Sequence, residues 1–160
     1  MTASPVPARP ARVPRYVPLL NPVSRRLLRA GVRLGPNVLV TVPGRKSGQP
    51  RSTPLAIVEL DGRRWLWSPW GDTNWVRNLR AAGRATITVN RQTEAVAVRE
   101  LDPAERLDFF RGVLLPIAQG MRFGVLFVRI VDGVDVRRPV EAAKGRVVFE
   151  LLDGADDRGQ

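Results

Sequence analysis

Two short apolar runs meet at Asp61-Gly62, and this dipeptide constrains the chain more than any other feature. Asp-Gly accepts positive φ at both turn positions, which is what a two-residue hairpin demands. Arg51 to Leu60 and Arg64 to Ser68 therefore read as antiparallel neighbours. Asn37 to Val42, rich in Val and Leu, precedes them across a turn at Gly44 to Gly48. Arg84 to Val89 and Thr93 to Arg99 form a further hairpin around Asn90-Arg91-Gln92, and Arg146 to Leu152 reads as the last strand. Consecutive hairpins build an antiparallel sheet, and closing it into a barrel hides its edges. The fold class is mainly β with flanking helices (α+β).

The helices separate these strands. Asn21-Pro22 opens an amphipathic helix with proline at its first position, and Gly35-Pro36 stops it. Leu27, Leu28, Val32 and Leu34 form its apolar face, with Arg25, Arg26, Arg29 and Arg33 between them. Packing on the barrel is the first reading of this helix; resting on a membrane surface is the second. Thr73 to Ala82 forms a short helix capped by Asp72 or Thr73. Asp102-Pro103-Ala104-Glu105 is a helix start with the elements of a capping box. Leu107, Phe110, Leu114 and Ile117 give its buried stripe, and Pro116 kinks or ends it. Met121 to Ile130 is apolar and fits helix or strand equally.

A chain of 160 residues with 44% hydrophobic content supports one domain with an ordinary core. That domain is read as 19–153, a single barrel, between a flexible N-terminal arm at 1–18 and a frayed tail at 154–160. Cysteine and histidine are both missing from the sequence. This excludes disulfides, Ser-His-Asp and Cys-His machinery, and thiolate or imidazole metal ligands; no metal site is expected. No apolar run approaches the roughly 20 residues that span a bilayer. The expectation is a cytoplasmic protein, with peripheral contact at the inner membrane face through the 21–34 helix as that helix's second use.

The formal net charge is +11, from 26 basic and 15 acidic residues. Such a balance attracts anionic partners, and arginine favours bidentate recognition of phosphate and carboxylate. The segment Gly44 to Pro54 concentrates the donors Arg45, Lys46, Ser47, Gln49, Arg51, Ser52 and Thr53. Arg51 and Thr53, two apart on a strand, share a face. A hydrogen bond to a charged group contributes about 1.5–3 kcal/mol, so three supply a fair share of the roughly 8 kcal/mol of micromolar binding. All four tryptophans lie between Trp65 and Trp75. Trp65 and Trp67 read first as inward-packing core. Trp70 and Trp75 flank Gly71 and suit a flat ring with a phosphorylated tail.

The run Thr41 to Leu55, with Gly44-Arg45-Lys46-Ser47-Gly48-Gln49-Pro50-Arg51-Ser52-Thr53-Pro54, resembles the signature of the deazaflavin-dependent nitroreductase family. So do Ser68-Pro69-Trp70-Gly71 and Asn74 to Arg80. The resemblance covers Val38 to Glu100 well and the C-terminal third weakly. It implies a split β-barrel, FMN-binding-like, that binds coenzyme F420. It further implies that Arg45, Lys46, Ser47, Arg51, Ser52 and Thr53 meet the phosphate or the oligoglutamate tail, with Gln49 in the same turn. Pro54, Leu55, Ser68, Pro69, Trp70 and Gly71 would approach the ring, and Trp75 and Asn78 complete the site.

The implied activity is hydride transfer between the reduced deazaflavin and a small apolar or conjugated acceptor, such as a quinone, a nitro compound or an enone. No catalytic side chain is singled out; Ser68, Tyr16 and water are candidates for delivering the proton. The family's C-terminal tyrosines are missing here. Met121, Phe123, Phe127 and Val128 stand in that third of the chain, and they favour an apolar substrate pocket. The alternatives are a split barrel holding FMN or haem, and a protein that carries F420 without turnover. A nucleic-acid-binding module is disfavoured, because the aromatics are grouped rather than interleaved along a basic strip. The partner is a small-molecule substrate, and the protein is a monomer or a homodimer.

Overall fold

The computed structural model describes residues 16–31 and 37–153. Six strands close into an antiparallel barrel: β1 (Asn37–Pro43), β2 (Pro50–Leu60), β3 (Arg63–Ser68), β4 (Arg84–Val89), β5 (Gln92–Glu100) and β6 (Val147–Asp153). Their order around the barrel is β1-β2-β3-β6-β5-β4, with β4 pairing back onto β1. The mainly β class with flanking helices is thus the observed one. Closure follows from local turns. Asp61 and Gly62 both have positive φ, 51° and 74°, as the hairpin requires. Asn90 (50°) and Arg91 (66°) do the same, and Val89 pairs with Gln92. The second turn therefore has two residues, not the expected three. β1 is buried at the consecutive residues Val38, Leu39 and Val40, so both its faces are covered, and the helices Tyr16–Arg29 and Asn74–Ala82 pack against it.

The described residues fall into two compact units that interleave in sequence. One takes the described residues of 13–66, 74–100 and 149–160, and the other takes 67–73 and 101–148. The first holds most of the barrel, with α1 (Tyr16–Arg29) and α2 (Asn74–Ala82). Here α1 packs against β1, β2 and β4, as the first reading of that helix expects. Two of its limits differ from expectation. It runs through Pro22, so it begins inside the expected arm; proline removes one backbone donor there without ending the helix. It ends at Arg29 because Gly31 takes the left-handed conformation, φ 85°, before Gly35-Pro36 is reached. The remainder of the arm (1–15), residues 32–36, the Tyr16 side chain and the tail at 154–160 lie outside the described residues.

The second unit is helical. Asp102 and Glu105 form the capping box of α3 (Pro103–Phe109), with bonds of 2.9 and 3.0 Å. A π-helical turn, Phe110–Leu114, joins α3 to α4 (Leu115–Gly120). Pro116 does not end the helical run: it stands in the first turn of α4, directly after the wider π turn. That wider turn also shifts the buried stripe. Phe109, Phe110, Leu114 and Ala118 are buried, whereas Leu107 and Ile117 are half-buried. The ambiguous apolar segment is helical, as α5 (Gly124–Val131), and a short α6 (Pro139–Ala143) follows. Phe109 and Phe110 stack edge-on at 5.4 Å, and Trp67 meets Phe110 edge-on at 5.7 Å. Among the described residues no single helix is long and apolar enough to cross a membrane.

Candidate functional site

The glycine-bounded turn between β1 and β2 is built by its own backbone. Gly44 N–H donates to the Gln49 carbonyl at 2.8 Å, and Gly48 N–H donates to the Gly44 carbonyl at 2.7 Å. Gly48 has φ 68°, a left-handed conformation that glycine takes without strain. A β-carbon on Gly44 would stand 3.0 Å from Ser47 Oγ and 3.2 Å from the Gln49 carbonyl oxygen, so any side chain there would have to push the turn slightly open. The result is a short basic loop held at the mouth of the barrel strands, with Arg45, Lys46 and Ser47 at its tip.

A cleft of about 560 Å³ opens beside this loop. Of the residues predicted from the sequence, Arg45, Lys46, Ser47, Arg51, Ser52, Thr53, Trp75 and Asn78 line it together. The β2 pairing explains part of this: Val42 lies opposite Arg51 and Thr41 opposite Ser52. Thr41 and Ser52 hydroxyls share a hydrogen bond of 2.9 Å. Asn78, buried on α2, accepts from Arg45 Nη1 at 2.8 Å and from the Arg45 backbone N–H at 3.3 Å. Asn74 Oδ1 lies 3.5 Å from Arg45 Nη2. The Trp75 ring, half-buried, leans on Phe149 at 6.2 Å.

Three predicted residues of the segment do not line the cleft. Gln49 closes the turn through its backbone, with its N–H 3.4 Å from Ser47 Oγ. Pro54 and Leu55 are half-buried farther along β2. Conversely, Arg25, Arg29 and Asn74 line the cleft without having been singled out. Arg25 and Arg29 stand four apart, so one helix face presents both. That spacing was legible, but nothing in the sequence tells which surface the face meets. Five cationic side chains (Arg25, Arg29, Arg45, Lys46 and Arg51) and no carboxylate occur among the described lining residues.

The remaining predicted residues belong to the helical unit's 67–73 segment. Ser68 is fully buried at the end of β3, and its hydroxyl donates to the Gly71 carbonyl at 2.7 Å. Pro69 and Trp70 are half-buried, and Gly71 has φ 77°. The Thr73 hydroxyl is buried without a hydrogen-bond partner, so it does not cap α2. Its backbone N–H donates to the Gly71 carbonyl at 2.9 Å. Trp65 and Trp67 are core residues, as expected, and Arg63 lies 5.0 Å above the Trp65 ring. No group of three or more metal-ligating side chains occurs among the described residues.

The sequence profile of the F420H(2)-dependent quinone reductase family matches residues 24–121, well over half of the chain. No curated protein matches the chain. Among solved structures, the F420-H2 dependent reductase FDR-A is similar at 23% identity over 76% of this chain and 99% of its own, with a TM-score of 0.46. A FAD-binding protein from Mesorhizobium loti is 13% identical over 81% of this chain and 86% of its own, with a TM-score of 0.49. HutZ, the heme storage protein from Vibrio cholerae, is 14% identical over 84% and 89%, also at 0.49.

Proposed function

The chain belongs to the F420H(2)-dependent quinone reductase family, and from that premise we propose that it reduces a small quinone or similarly conjugated, largely apolar acceptor, with the coenzyme's anionic portion seated in the basic cleft. The observation that carries the reading is the concentration of five cations and three hydroxyl side chains on one cleft. Phosphate and carboxylate oxygens are acceptors only, and this wall offers donors: Arg45, Lys46, Ser47 and Arg51, backed by Ser52 and Thr53. Asn78 fixes the Arg45 guanidinium beforehand, so less side-chain freedom is lost on binding. Trp75 and Val42 give the same cleft an apolar wall.

When bound, reduced F420 supplies the hydride. The protein's task is to bind, orient and exclude water. On the barrel unit we assign Pro54 and Leu55 to the neighbourhood of the ring. The Ser68 proton already engages the Gly71 carbonyl, which favours a positioning role for it and leaves proton delivery to water. A second cofactor reading is disfavoured by the donor set. FMN has a single phosphate for five cations, and haem would find neither histidine nor cysteine as an axial ligand in this sequence.

Titration with F420, followed by its fluorescence or by calorimetry, tests the reading. Binding with Kd of about 10 μM or below is expected, given the charged hydrogen bonds available. FMN should compete poorly. An F420 isotherm that stays flat through tens of micromolar, roughly the range such a donor set should reach, overturns the assignment.

A further inference from the structure

A second surface, in the helical unit, has no part in the proposed site. Four large apolar side chains stand exposed within ten residues: Met121 (50%), Phe123 (68%), Leu126 (51%) and Ile130 (70%). Phe123 and Ile130 are the two most exposed large hydrophobics among the described residues. Leu126 and Ile130 are four apart, so they share one face of α5, while Val128 is buried on the other.

The turn that presents them is tightly built. Gly124 N–H donates to the Met121 carbonyl at 2.9 Å, and a β-carbon on Gly124 would stand 2.4 Å from the Ala118 carbonyl oxygen. Phe123 occupies the left-handed region, φ 69° and ψ 9°, where a bulky residue is uncommon. Its ring is thereby held outward in water, where a polar residue would serve the turn better. Arg122 lies over that ring at 5.4 Å, and Arg129 is exposed between Leu126 and Ile130. No Asp or Glu occurs from Gln119 through Val131.

The geometry points to a lipid-binding face: the 121–130 protrusion inserts Phe123, Leu126 and Ile130 shallowly among the acyl chains of an anionic membrane, while Arg122 and Arg129 meet the headgroup phosphates. An apolar helix face flanked by arginine, on a chain of net charge +11, complements a surface that is apolar beneath and negative above. A second copy of the chain is a worse occupant, since a two-fold contact would bring the same arginines together.

Sedimentation of the full chain with vesicles tests this. Stronger binding to phosphatidylglycerol vesicles than to phosphatidylcholine vesicles is expected, but the net charge alone could produce it. The deciding variant is therefore Phe123→Ser/Ile130→Ser, which leaves the charge unchanged; it should bind phosphatidylglycerol vesicles about tenfold more weakly than wild type. Both side chains are exposed, and an unchanged melting temperature controls for folding. Three results overturn the proposal: no binding of wild type to anionic vesicles, binding by the variant equal to wild type, or light scattering that shows a wild-type dimer which the variant dissociates.

Discussion

Arg45 and Asn78 lie 33 residues apart in sequence and meet through two hydrogen bonds, one from the guanidinium at 2.8 Å and one from the backbone N–H at 3.3 Å. A single buried amide on α2 thus positions both the loop and its charge. Replacing it with alanine frees the guanidinium and leaves a backbone N–H without that partner. Asn78→Ala should weaken F420 binding by roughly three- to tenfold, in line with the cost of ordering one long side chain on binding, about 0.5–1.5 kcal/mol. Calorimetric titration checks this, and a variant that binds like wild type would show that Arg45 needs no positioning.

Arg29 approaches the same cleft from α1, outside the β1–β2 turn. Its contribution should be electrostatic and screened by salt. Arg29→Ala should raise the Kd for F420 roughly three- to tenfold at low ionic strength, with the difference shrinking toward about 1 M salt as the Debye length falls. Arg51→Ala should show the larger loss, because its strand is hydrogen-bonded into the barrel. Equal affinities for wild type and Arg29→Ala at low salt would remove α1 from the site.

Glu150 on β6 is buried between Arg63, at 2.6 Å, and Arg99, at 2.6 Å. Burial pushes its carboxyl up, but the hydrogen bonds and charges of Arg99 and Arg63 outweigh burial and hold it below the usual glutamate range. A depressed pKa means that the stabilisation is present at neutral pH and is lost as pH falls through the folded-state value. Glu150→Gln should therefore cost roughly 1–3 kcal/mol at neutral pH, less than a fully buried pair because both arginines remain partly hydrated. The cost should disappear in strong acid. Urea denaturation across the acid range measures both.

Asp132, at the end of α5, behaves in the opposite sense. Burial raises its pKa to about 6, against the pull of Arg146. The folded state then holds a proton that the unfolded state has released, so stability falls as pH rises from the ordinary aspartate value of 3.8 through about 6. Asp132→Asn should stabilise the protein by roughly 1–3 kcal/mol at neutral pH and by little below about pH 4. Thermal melts at two pH values decide; equal shifts at both would place the cause outside titration.

Most of the barrel was readable in advance because its turns are local. Asp61-Gly62 and Asn90-Arg91 need only their own backbone freedom to reverse the chain, and the Asp102–Glu105 box needs only four consecutive residues. The limits of α1 were less readable. A proline at position 22 suggests a start by propensity alone, whereas the helix runs through it from Tyr16 to Arg29. The π turn before Pro116 was unreadable for a related reason, since it has no local sequence signal.

The candidate site divides along the same line. The sequence by itself determined the donors of the 44–54 turn, the lack of histidine and cysteine, and the family motif, because each depends on residue identity and short spacing. Only the tertiary structure decided that Arg25 and Arg29 share a cleft with that turn, that Asn78 holds Arg45, and that Gln49 serves the backbone of the loop. Those relations join residues as many as 53 positions apart, from Arg25 to Asn78, and barrel closure brings them together. Charge and spacing state what a side chain can bind; the packing of α1 and α2 on the strands determines which side chains act at one place.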